Sequence, residues 1–184
     1  FWAACTCILC FIGCSDNQQK NDSAASSGSI ENIIVITTDG LRWQDVYTGM
    51  DSAIASNASY MQSRRDSAEM FEQYWSPDPP ERRKKLMPFF WNTIVQNGQL
   101  YGNRLYDNKV NCANPYWFSY PGYNEILTGY PDTAVNSNEY MPNPHVTVLE
   151  YINKQPAFAG KVAAFGAWEA FDRILNKERC GFPV

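Results

Sequence analysis

The sequence predicts an α/β fold with a mostly parallel central sheet flanked by helices, and three observations lead there. Ile33-Ile34-Val35-Ile36-Thr37-Thr38 is an unbroken, largely β-branched run between Asn32 and Asp39-Gly40, the pattern of a strand buried on both faces. Further along, stretches with helical spacing of apolar residues alternate with short apolar runs, as in a parallel sheet with crossover helices. The chain has 184 residues, 45% of them hydrophobic, which is enough to build a sizeable core.

The elements follow in order. Residues 1–14 are uncharged and carry four of the six cysteines, Cys5, Cys7, Cys10 and Cys14. The run is too short to cross a bilayer but suits the apolar part of a signal peptide. Phe11-Ile12-Gly13-Cys14 resembles a bacterial lipobox, which makes Cys14 the expected lipidation site and the sequence one that begins inside its signal. The alternative is a buried apolar helix. Residues 15–29, rich in Ser, Asn and Gln, read as a flexible tether that holds the folded part off a membrane. An exported, membrane-anchored lipoprotein facing the periplasm or the cell surface is therefore expected. Beyond the signal only Cys112 and Cys180 remain, and the sequence leaves open whether they pair.

Residues 30–184 are expected to form the catalytic domain, with the strand at 33–38 opening it. Residues 50–87 read as a helical insertion broken by Pro77, Pro79 and Pro80. Within it, Arg82-Arg83-Lys84-Lys85 reads as a solvated helix face. The formal net charge of -4 gives no long-range attraction for nucleic acid. After Pro88, residues 89–95 have helical spacing, Asn97-Gly98 provides a left-handed stop, and 100–105 reads as a strand. Residues 121–127 form a short helix ended by Thr128-Gly129, 146–152 another helix, and 161–165 a strand. The last residues, 180–184, lack a polar tail, so the chain is expected to continue.

Two positions suggest chemistry. An acidic residue directly after a buried parallel strand sits at the sheet edge where open α/β folds collect ligands, and Asp39 is so placed. Its carboxylate suits Mg²⁺, Mn²⁺ or Zn²⁺; the alternative is a cap for the helix beginning near 41–43. Ser119 precedes Pro121 at the start of a helix, where the positive dipole end favours an anion and an alkoxide. A serine hydroxyl needs a base or cation to become a good nucleophile, and the alternative here is an N-cap serine.

Together these motifs resemble the alkaline phosphatase superfamily, with its phosphodiesterase, phosphomutase and sulfatase relatives. The strand ending in Asp39-Gly40-Leu41-Arg42 is similar to the family's metal-binding strand. Met87-Pro88 through Gly98-Gln99-Leu100-Tyr101 resembles its Pro-x-x-x-x-Leu-x-x-x-Gly segment. Ser119 through Leu127-Thr128-Gly129-Tyr130-Pro131 resembles its nucleophile helix, and 146–166 its next helix and strand. The resemblance implies that Asp39 ligates a metal and that Ser119 is the nucleophile and touches the same ion. It further implies two divalent ions, Zn with Mg or Mn as alternatives, whose remaining Asp and His ligands are expected downstream of residue 184. An Asn after the nucleophile helix contacts the transferred group in the phosphodiesterase branch. Asn136 and Asn138 both fall there, with Asn138 preferred and turn-forming asparagines before Pro142 the alternative.

The expected activity is metal-dependent hydrolysis of phosphate mono- or diesters, of small-molecule or lipid/glycan substrates, by the full-length protein. This chain alone is expected to be inactive. Tyr123 stands where formylglycine sulfatases carry arginine, which counts against a sulfatase. The single histidine, His145, is remote in sequence from both motifs and is left out of the site. A phosphomutase relative and a non-catalytic surface-binding lipoprotein of the same fold are the remaining alternatives. Of the aromatic residues that could line a cleft (Trp75, Trp91, Tyr116, Trp117 and Tyr123), most are expected in the core.

Overall fold

A computed structural model describes residues 30–61 and 63–184. The expected signal with Cys14 and the tether lie outside the described residues. The chain divides into two compact units, one ending at Val110 and one formed by Asn111–Val184.

The unit ending at Val110 is helical in its described part: α1 (Trp43–Thr48), α2 (Ser52–Ala55), α3 (Arg64–Tyr74), α4 (Pro79–Leu86), a π-helical turn (Phe90–Ile94) running into α5 (Val95–Asn97), and a 3-10 turn (Arg104–Tyr106). Pro79-Pro80 begins α4 instead of breaking it: neither proline has an N–H to lose at the first helical positions, and Asp78 accepts the Glu81 N–H. Val46, Tyr47 and Trp91 are buried together, with Leu41, Trp43, Met87 and Leu100 packed around them. The Trp91 indole donates to Val46 O at 3.1 Å and meets the Tyr47 ring edge-on.

The basic run corrects the reading of a purely solvated face. The Arg83 guanidinium lies 3.7 Å from the centre of the Trp91 ring, and Arg82 lies 4.6 Å from that of Trp75. Arg82 also donates to Thr48 O at 2.7 Å and to Ser76 O at 3.0 Å, so both arginines tie α4 to α1. Only Lys84 and Lys85 are exposed. The close approach needs Gly49: its φ is 78°, and a Cβ there would lie 2.5 Å from the Arg82–Arg83 backbone.

Asn111–Val184 contains α6 (Ser119–Thr128), α7 (Val148–Asn153), α8 (Phe171–Ile174) and α9 (Lys177–Cys180). Tyr120, Tyr123, Val135, Ala170 and Ile174 form its core, and Leu175, Cys180 and Phe182 form a second cluster. A charge cluster around one buried carboxylate joins α7 to α9. Glu150 is fully buried, and Arg179 Nε reaches both its oxygens at 3.1 Å while Lys154 Nζ reaches one at 2.7 Å. The rest of the half-buried Arg179 fork donates to the carbonyls of Asn143, Pro144 and His145, which ties α9 to the segment before α7. Cys112 is exposed and Cys180 buried, and the two are not bridged to each other.

The α/β expectation is overturned: among the described residues there is no strand and no sheet. Ile33, Ile34, Val35 and Ile36 are 68%, 72%, 46% and 62% exposed. A two-faced strand forms only when neighbouring strands accept its backbone groups, and the described residues supply none. Residues 100–103 are likewise irregular and run into the 3-10 turn. Residues 161–165 keep a trace of the expected alternation: Val162 and Ala164 pack inward while Lys161, Ala163 and Phe165 face solvent. Their one backbone tie of this kind is Ala164 N–H to Pro183 O at 2.9 Å, short of a ladder. Gly98 ends α5, but with an extended φ of -124° in place of the expected left-handed turn. No helix among the described residues is long and apolar enough to cross a membrane.

Candidate functional site

Ser119 is the first residue of α6 and not its cap. Phe118 is the N-cap residue, extended at φ -123°, ψ 147°, and no side chain caps the helix. Ser119 is half-buried, and its hydroxyl bonds to no described residue. The helix forms where Pro121 fixes φ in the first turn, and it stops where Gly129 takes the left-handed conformation at φ 69° and donates to Glu125 O at 2.8 Å.

Three sets of bonds hold the N-terminal part of α6 and the segment before it. Tyr120 is buried, and its single O–H proton is shared between Met141 O at 2.7 Å and Arg173 O at 3.0 Å; burial pushes its pKa up to about 12, so it stays neutral. Glu125, on the same helix, draws in the segment before Ser119 by accepting Ala113 N–H at 2.6 Å, Asn114 N–H at 2.9 Å and Asn114 Nδ2 at 2.8 Å. Burial works to raise the Glu125 carboxyl, but these donors outweigh it and hold the group below its ordinary value.

The third tie is Asn138. Tyr120 N–H donates to Asn138 Oδ1 at 3.0 Å, across 18 residues. An N–H can only donate, so the bond fixes which way the amide points. Nδ2 therefore faces away with two donors that bond to no described residue. Of the two candidate asparagines, Asn138 stands at the N-terminal turn beside Ser119, while Asn136 is exposed. Pro121 has no N–H and Tyr120 spends its own on Asn138, so the donors left at this end are Ser119 N–H and Asn138 Nδ2.

Asp39 is placed differently. It lies on an exposed bend before Gly40, whose φ is 72° and beside which a Cβ would meet open space. It does not cap α1: Arg42 occupies the cap position and no side chain bonds there. The next carboxylates in sequence, Asp45 and Asp51, both turn to Arg42, at 2.6 Å and 3.4 Å. Asp51 also accepts Ala53 N–H and Ile54 N–H at the start of α2. Their oxygens are thus engaged, and no group of three His, Cys, Asp or Glu capable of holding a metal occurs among the described residues. The described residues do not by themselves fit the implied metal pair. Asp39 and Ser119 belong to separate units.

Sequence reasoning missed the pairing of His145. Its Nε2 lies 2.6 Å from Asp132 Oδ2, and its ring meets Tyr130 edge-on. Asp132 is held below its ordinary value first by Ala134 N–H and then by His145. Asp132 lies in the Tyr130-Pro131-Asp132 turn, a local pattern that gives no sign of a partner 13 residues on. An open groove of about 580 Å³ lies between Leu127, Thr128, Val146 and Tyr151, at the opposite end of α6 from Ser119.

No family model matches the chain, and comparison with curated proteins and with solved structures found no match.

Proposed function

We propose that the full-length protein hydrolyses phosphate mono- or diesters with Ser119 as nucleophile and Asn138 as phosphate contact. The observation that carries this reading is the Tyr120 N–H to Asn138 Oδ1 bond, which ties Asn138 to the first turn of α6, where Ser119 is the first residue and its side chain caps nothing. Ser119 Oγ attacks phosphorus, the bond to the ester oxygen breaks, and the serine proton leaves with the departing alcohol. Asn138 Nδ2 and Ser119 N–H donate to the non-bridging oxygens as charge builds on them. Water then hydrolyses the phosphoryl-serine. The two divalent ions remain part of the proposal through the resemblance alone, because the strand that would have set Asp39 at a sheet edge is absent among the described residues. Export and membrane attachment through Cys14 rest on the lipobox alone.

Hydrolysis of 4-nitrophenyl phosphate by the full-length protein supplied with Zn²⁺ tests this. Ser119→Ala is expected to abolish turnover, and Asn138→Ala to lower kcat by roughly a hundredfold, the usual loss for one donor to a developing oxyanion. Unchanged turnover in Ser119→Ala would remove Ser119 from the role. Binding without turnover in the wild type would favour the non-catalytic lipoprotein.

A further inference from the structure

We draw no further inference here: the strongest candidate, the open apolar groove between the C-terminal end of α6 and the segment leading into α7, is an unpartnered face, and nothing in the structure shows what covers it.

Discussion

Asp39 follows an apolar run that lies open to solvent, whereas Ser119 begins a helix buried from Tyr120 to Asn124. The resemblance gives each position a role, yet their supports differ. Around Ser119, Asn138 and the Tyr120 hydroxyl tie the first helical turn, and Glu125, one turn further on, ties the segment that precedes it. Around Asp39 there is a bend and a glycine with space beside it. A nucleophile acts from a position held to within a fraction of an ångström, and only one of the two candidates has that kind of holding.

The largest test of this contrast removes core from the Ser119 side. Ile174 is fully buried against Tyr120 and Tyr123, so Ile174→Ala is expected to cost about 2–5 kcal/mol in urea unfolding. A loss under 1 kcal/mol would show that the helix is not held by this packing.

A smaller effect comes from acid. Glu125 ionises below its ordinary value of 4.5 when folded, so it adds stability above about pH 4.5 and loses that contribution as pH falls through its lowered value. The group is largely solvated, which keeps the contribution modest. Replacing Glu125 with Gln should flatten the acid side of the stability profile while leaving the neutral-to-alkaline slope alone. An identical acid slope in both proteins would mean that the Ala113 and Asn114 donors do not favour the charged form.

The smallest expected effect is on the other side of the comparison. Ile34 is 72% exposed, and Ile34→Ser should change stability by less than about 0.5 kcal/mol. A loss of 2 kcal/mol or more would place the apolar run in a packed environment and weaken the contrast.

The helix around Ser119 was legible because its signals are local: Pro121 at the start, Thr128-Gly129 at the end, apolar residues between. The same holds for α7, capped by the Thr147 side chain at Glu150 N–H. The sheet was misread because a β-branched run states only a preference, and strand formation is decided by partners far away in sequence. The arginines of α4 were misread for a related reason. Their charge is visible in the sequence, but the Trp75 and Trp91 rings and the Tyr47 and Thr48 carbonyls that receive them are not. Asp132 with His145, and Glu150 with Arg179, are 13 and 29 residues apart, beyond any local spacing rule. Asn138 lies between these cases. The resemblance narrowed the choice to two asparagines, and the bond from Tyr120 shows only that Asn138 is tied to the first turn of α6.

The most direct test of the central role given to Ser119 is a covalent one. The full-length protein would be quenched in acid during turnover of 4-nitrophenyl phosphate and its peptides read by mass spectrometry. A phosphoryl group on Ser119, absent when substrate is omitted, is the predicted result. A preparation that turns the ester over with Ser119 unmodified, and equally well as Ser119→Ala, would contradict it.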